Sequence, residues 1–496
     1  MLSQEQRYYV SKKVRFIQPG KGYIGTMKKE LTENRPHFDV LRSEASSKAK
    51  GLDYLAIIIG GQTWLFPVSQ KHLRELYSLC KLGGKMEVIP FSYAVGFAPQ
   101  GMPFTHTDEH WKELRKNVAA IFHNDFMNAY LVNFNTAVKE LAEKWKDGSG
   151  GIFNIAKDIG EMAYNAAVFS LIGSKLDVEV PYDDNGTVSN LHIRDVNAKT
   201  LRDFAKHAAS NEFVEDKDYR LSGSTAETTS LNKNMETLAG ALTGLVNARV
   251  TEIQDGAESK TTIVDAAISL TLKGIIKDVG EAVQHGWAIL NGAHIICANT
   301  LSAALFYLLK NPDKYEILKE EINTQLIKGE TFDESNLYEI LDRDHIKELD
   351  YLTQVVKETL RLSSPIYGKP MRAKEDIELE DGLLIKEDTI VYPNNGVIGV
   401  SENIWKEPLK FIPERFDKNN EYSKLPDGDD RENISFLAFG GGQRACMGDN
   451  YSQYFVKVAL VYFIHLFEFD ITEEPKIDSF FYWLNERQYS AKVTIK

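Results

Sequence analysis

Cysteine is scarce in this chain of 496 residues, which holds only Cys80, Cys297 and Cys446. Three cysteines are too few, and odd in number, for a disulfide framework, and no pair has the spacing of a zinc site. A set this sparse fits a reducing compartment and leaves any one thiol available for metal or catalytic chemistry. Basic residues are outnumbered, 58 Lys and Arg against 71 Asp and Glu, for a net charge of −13. Phosphate backbones need a basic surface, so no nucleic acid is expected as a partner. Long hydrophobic runs are missing as well. The most apolar stretch, residues 295–309, contains Asn299, Thr300 and Ser302. It falls short of the roughly 20 apolar residues a spanning helix needs and reads as a buried core helix. The first residues, MLSQEQRYYVSKKVRF, are polar and charged, unlike a signal peptide or membrane span. Internal repeats, low-complexity tracts and flexible linkers are also lacking.

What is present is an ordinary globular composition, 43% hydrophobic and 26% charged, in a chain long enough to bury a large core around a cavity. Helical patterning dominates from Thr107 to about Lys328. Residues 278–310 read as one helix, roughly 50 Å long, ended by Asn311-Pro312. Strand patterning covers residues 55–67 with a Gly-Gly turn, residues 377–392 with Asp381-Gly382 as a hairpin turn, and residues 488–496. Residues 182–189 and 222–230, rich in Asp, Asn, Gly, Ser and Thr, read as surface loops. The expectation is a mainly α protein, a single domain over residues 1–496, with a small β region drawn mostly from about 1–70 and 365–400.

The most informative segment is Phe439-Gly440-Gly441-Gly442-Gln443-Arg444-Ala445-Cys446-Met447-Gly448. Consecutive glycines let the backbone approach a flat cofactor closely. Arg444 can reach an anionic carboxylate. An apolar helical stretch follows Gly448, so Cys446 sits at a helix N-terminus, where the dipole favours thiolate over thiol. A bare Gly-rich loop would not carry this reading. The full pattern Phe-x-x-Gly-x-Arg-x-Cys-x-Gly does, since chance produces it on the order of once in several thousand chains of this size.

This pattern resembles the haem-binding loop of the cytochrome P-450 family. The resemblance implies a triangular helical body with a long central helix over the haem. It also implies haem b (iron protoporphyrin IX) with Cys446 as axial iron ligand, Phe439 beside the thiolate and Arg444 on a propionate. Four further segments match in order. Glu358 and Arg361 in Lys357-Glu358-Thr359-Leu360-Arg361 resemble the family's Glu-x-x-Arg helix, and share a helix face at i,i+3. Arg415 in Phe411-Ile412-Pro413-Glu414-Arg415-Phe416 would complete a buried network with them, tolerable only if fully hydrogen-bonded. Trp111 and Arg115, on one face at i,i+4, and Arg372 in Pro370-Met371-Arg372-Ala373 match propionate-binding positions.

The central helix departs from the family's small-Gly-x-acid-Thr pattern. Here it reads Ile296-Cys297-Ala298-Asn299-Thr300. Thr300 is kept, while Asn299 replaces the acid that helps deliver protons. Asn299 can orient water but cannot exchange a proton at neutral pH. The Ala-Asn-Thr version resembles the branch of sterol 7α- and 12α-hydroxylases, with prostacyclin synthase nearby. Cys297 reads as a small core residue, and His294, about 240° from Thr300 at roughly 100° per residue, as a packed one.

The expected function is that of a monooxygenase placing one oxygen atom from O2 into an apolar, lipid-like small molecule. No flavin or iron–sulfur segment follows the cysteine loop, so a separate NAD(P)H-dependent reductase is expected to supply electrons. Lys112, Lys116 and Lys457 are its candidate docking residues. Two alternatives stay open: a reductase-independent peroxide isomerase or peroxygenase, motivated by Asn299, and a non-catalytic haem sensor. Candidate cavity residues are Phe91, Phe97, Met102, Phe104, Ile296, Ile366, Tyr367 and Leu484, nearly all apolar or aromatic. A monomer is expected, soluble on the cytoplasmic side, or held at the endoplasmic reticulum if an N-terminal anchor is missing.

Overall fold

The computed structural model describes residues 13–16, 39–59, 62–89, 98, 100–208, 225–327, 341–473, 476–480 and 484–496. Phe91 and Phe97 lie outside them, as does the Leu484 side chain. The chain forms two compact units, each made from separated stretches of sequence.

The first unit contains residues 1–89, 350–446 and 482–486. Its six-stranded sheet runs in the order Val14–Phe16, Tyr54–Ile59, Gln62–Pro67, Ile390–Val391, Met371–Ala373 and Met86–Val88. Tyr54–Ile59 and Gln62–Pro67 pair antiparallel, with Ile59 opposite Gln62, while the Gly-Gly turn expected between them lies outside the described residues. The Asp381-Gly382 turn also forms, with Gly382 at φ 79° and Ile377–Glu378 antiparallel to Leu384–Ile385. Arg372 projects from a strand held on both sides, opposite Ile390 and Glu87. Alternating Tyr54, Ala56 and Leu65 fill a core with Met86, Val88, Met371 and Val391. Helix Asp350–Leu362 carries Glu358 and Arg361 on its buried side.

The second unit contains residues 90–349, 447–481 and 487–496. Its helices include Glu109–Val118, Asn124–Asp147, Ile155–Ile172, Ala226–Gln254 and Asp449–Leu466. Asp108 caps the first of these by accepting the Trp111 N–H at 2.7 Å, and so places Trp111 in its opening turn. The predicted central helix forms as Val279–Lys310, capped by Asp278. It is long and apolar enough to cross a membrane, but 61% of its apolar window is buried. It is not uniform. Gly292–Ile296 is a π-helical turn between α-helical Val279–Asn291 and Cys297–Lys310.

Two loop expectations are corrected. Residues 182–189 belong to a hairpin, Glu179–Asp184 against Thr187–His192, closed by Asn185 and Gly186 at φ 52° and 94°. Asn-Gly suits a two-residue hairpin because both residues tolerate positive φ. The second loop overlaps the start of helix Ala226–Gln254, where Thr225 and Thr228 form a capping box. The threonines that suggested a loop are there to satisfy the helix's first N–H groups.

Candidate active site

In the first unit, Cys446 follows a tight loop and lies just before Gly448, the N-cap of helix Asp449–Leu466. The Cys446 N–H donates to the Phe439 carbonyl at 2.8 Å, and the Gly440 N–H to Leu437 at 2.7 Å. Gly440 and Gly442 stand at φ 71° and 62°, which explains glycine at both. Gly441 has another reason. A Cβ there would lie 3.1 Å from the Tyr77 ring carbons. A tyrosine thus packs on the loop at Gly441. Cys446 is exposed, whereas Cys80 and Cys297 are buried, and none is in a disulfide. Burial pushes the Cys80 thiol up to about 11, opposed by the Arg444 charge.

Glu358, Arg361 and Arg415 meet with side chains fully buried. Arg361 donates Nε to Glu358 Oε2 at 2.7 Å and Nη2 to Oε1 at 2.8 Å, while Arg415 Nε reaches Oε1 at 3.1 Å. The Ile412 N–H adds a fourth bond at 2.8 Å. The carbonyls of Pro408 and Lys410 take remaining Arg361 protons, and that of Glu407 takes one from Arg415. Nearly every polar atom is engaged, which is what makes such burial tolerable. One member was missed from sequence. Arg431 lies 4.1 Å above the Trp405 ring and donates to the Arg415 carbonyl at 2.6 Å. Burial lowers both Arg415 and Arg431 to about 10. Phe436, at the start of the cysteine loop, packs edge-on to Phe416 at 5.2 Å and ties that loop to the network.

Arg372 is half-buried and its Nε is buried without a hydrogen-bond partner. An orphaned guanidinium nitrogen fits a carboxylate ligand. Ile366 and Tyr367 follow the Glu358 helix, and Asn395 fixes their carbonyls at 3.2 and 2.7 Å. Elsewhere in this unit Asp53, His72 and Asp381 bring donor atoms within 4.8 Å of one another. Lys71 already lies 2.7 Å from Asp381 and 3.7 Å from Asp53, and its ammonium balances the two carboxylates.

In the second unit, Thr300 and Asn299 lie just past the π turn. The Thr300 hydroxyl donates to the Ile296 carbonyl at 2.9 Å, and Asn299 Nδ2 is buried with no partner. Single π turns occur frequently at functional sites. His294, within that turn, packs edge-on to Tyr164 at 5.3 Å, and burial drops it to about 4. The π turn changes the angular phase assumed for His294, yet the residue is packed as expected. Trp111 donates its indole N–H to the Met102 carbonyl at 3.1 Å, and the Arg115 guanidinium lies 5.5 Å from the indole. Met102 and Phe104 share one 3-10 turn. Lys112 and Lys116 are exposed, but Lys457 is only 8% exposed, which removes it as a docking residue. Its helix is buried all round at this point, with every residue from Phe455 to Ile464 buried.

Residues 80–493 match the family model for cytochrome P450 (P-450). The chain belongs to the cytochrome P-450 family, in general haem-thiolate monooxygenases. Isoflavone 2'-hydroxylase of Glycyrrhiza echinata is 24% identical over 75% of this chain and 70% of its own length. Cytochrome P-450 82A1 of Pisum sativum is 36% identical, over 36% of this chain and 31% of its own length. Cytochrome P-450 4F4 of Rattus norvegicus is 24% identical over 84% and 78%. Among solved structures, cyanobacterial CYP120A1 with retinoic acid bound superposes with a TM-score of 0.74 over 94% of this chain and 96% of that one, at 16% identity. That likeness establishes the P-450 fold, and the family implies a haem cofactor, O2 and a redox partner.

Proposed function

We propose that this P-450 is a single-domain monooxygenase that binds haem b through Cys446 and hydroxylates an apolar, lipid-like small molecule, with electrons from a separate NAD(P)H-dependent reductase. The observation that carries this reading is the Cys446 loop, with its thiol exposed and its backbone pinned by Phe439, Tyr77 and the Glu358 network. The donor set fits the group: a cysteine ahead of a helix N-terminus, and Arg372 with an unsatisfied Nε. Bound haem would supply a thiolate-ligated iron that activates dioxygen.

The protein's own residues do the rest. Arg372, Arg444 and Arg115 would hold the haem carboxylates, and Phe439 would pack beside the thiolate; Trp111, expected as a further donor, already gives its one N–H to the Met102 carbonyl and would offer ring surface only. The Thr300 hydroxyl, whose proton goes to the Ile296 carbonyl, would accept from water and so order it, while the Asn299 amide would orient that water. Met102, Phe104, Ile296, Ile366 and Tyr367 present apolar surface to the substrate. The hydroxylase named among the relatives supports the reaction type. One observation favours peroxide isomerisation as a second reading. Asn299 replaces a proton-delivering acid, and its Nδ2 has no protein partner.

The test is optical. Purified holoprotein should show the red-shifted absorption of a reduced carbonyl complex on a thiolate, and Cys446→Ser should lose it. Retention of both band and activity in the variant would sink the assignment. Product formed only with reductase and NAD(P)H supports hydroxylation, whereas rapid reductant-free conversion of a lipid peroxide supports the isomerase.

A further inference from the structure

We propose that His285 is a positioning residue that sets the Met102 turn and, through it, the Trp111 indole. The functional consequence rests on the P-450 reading of Met102 and Trp111, but the contacts do not.

His285 lies on the α-helical stretch Val279–Asn291 and is 5% exposed. Its Nδ1 accepts the Met102 N–H at 3.2 Å, across 183 positions of sequence. An accepting Nδ1 carries no proton, so the ring proton is on Nε2. Nε2 lies 3.4 Å from Glu281 Oε1, one helical turn earlier. Glu281 is itself buried and held by the Lys277 N–H at 2.7 Å and His110 Nε2 at 3.0 Å. Nε2 makes no hydrogen bond, so the carboxylate acts by charge: its proximity favours a proton on Nε2, the tautomer that leaves Nδ1 available to Met102. The other tautomer, or an imidazolium, would set N–H against N–H.

The neighbouring residue repeats the connection. Gln284 Oε1 accepts the Gln100 N–H at 2.8 Å, and its Nε2 donates to Gln100 Oε1 at 3.0 Å. The Met102 carbonyl takes the Trp111 indole N–H at 3.1 Å and faces the Thr105 hydroxyl at 3.4 Å. Met102 is thus fixed at both main-chain groups, one by His285 and one by Trp111. Its side chain and Phe104 belong to the candidate substrate surface, and Trp111 to the candidate haem surface. A change at His285 moves both together without touching the reacting atoms.

Two substitutions separate this role from packing. In His285→Asn the amide can place an oxygen where Nδ1 stood. In His285→Gln the amide reaches the Nε2 position instead, fills the space and leaves the Met102 N–H without an acceptor. Hydrogen exchange on the full chain, followed in residues 100–105, should accelerate about tenfold in His285→Gln and recover in His285→Asn. In the holoenzyme His285→Gln should raise KM more than it lowers kcat, with the thiolate band intact, and His285→Asn should restore KM. Unchanged exchange in His285→Gln overturns the proposal, as does equal impairment of both variants in exchange and KM. A wild-type protein without a thiolate band, but with the expected exchange pattern, would remove the haem reading and leave the His285 contact standing.

Discussion

Arg415 lies 57 positions after Glu358, yet its Nε donates to the Glu358 carboxylate at 3.1 Å with neither side chain exposed. This contact joins helix Asp350–Leu362 to the segment leading through Arg431 and Phe436 to the cysteine loop.

Removing either end of this network should therefore be felt at the loop. Glu358→Ala leaves two buried guanidinium groups without their shared counter-charge, and Arg361→Ala leaves Glu358 with one cation fewer. Each should cost about 3–5 kcal/mol. Urea unfolding of the apoprotein and haem content after purification check this. Variants of normal stability that retain haem would contradict the supporting role.

Thr300 divides the two enzymatic readings. In a monooxygenase Thr300→Ala removes the hydroxyl anchored on Ile296, and positioned proton transfer is typically worth about 10²–10⁴-fold. Product per NAD(P)H should fall while peroxide release rises. In a peroxide isomerase that substitution should matter little and Asn299→Ala should be the damaging change. Stoichiometry of NAD(P)H, peroxide and product decides between them.

Lys112 and Lys116 are exposed on helix Glu109–Val118 in a chain of net charge −13. Lys112→Glu with Lys116→Glu should slow reduction by the reductase at low salt, and the difference should shrink as salt screens it. Equal stopped-flow rates at low ionic strength would place the docking surface elsewhere. Lys457→Glu should instead destabilise the fold, because it puts a carboxylate at a buried position.

His294 predicts a pH dependence of stability. Burial holds the folded ring neutral down to about 4, while the unfolded chain takes a proton near 6.5. Between those values the unfolded state binds more protons. Stability therefore falls as pH drops through this window, by about 3 kcal/mol in full. Glu281, lowered to about 2 chiefly by the adjacent His285 ring, adds a separate loss below about 4.5. Urea midpoints measured from pH 7 to pH 5 should decline in the wild type and stay flatter in His294→Gln. Parallel declines would assign the titration to another group.

The candidate site residues and the network that supports them were legible because their signals are local. Cys446, its glycines and Arg444 lie within one short loop, and Glu358 and Arg361 are three apart on one helix. Turn and cap chemistry also reads locally, although the composition around Asn185-Gly186 suits a loop equally well and the positive-φ pair closes a hairpin. The central helix and its boundaries followed from an unbroken apolar pattern. The π turn at Gly292–Ile296 did not, because one extra residue per turn leaves composition unchanged.

By itself the sequence determined the family, the candidate iron-binding thiol and the long helix carrying Thr300, since each depends on residues close together in the chain. Only the tertiary structure decided that Tyr77 is what packs against Gly441, that Arg431 joins the buried network through Trp405, that Lys457 faces inward, and that His285 holds Met102. Those contacts link residues far apart in sequence. Each exists because packing brought together a buried polar or apolar group and the partner that satisfies it, and no local spacing records that choice.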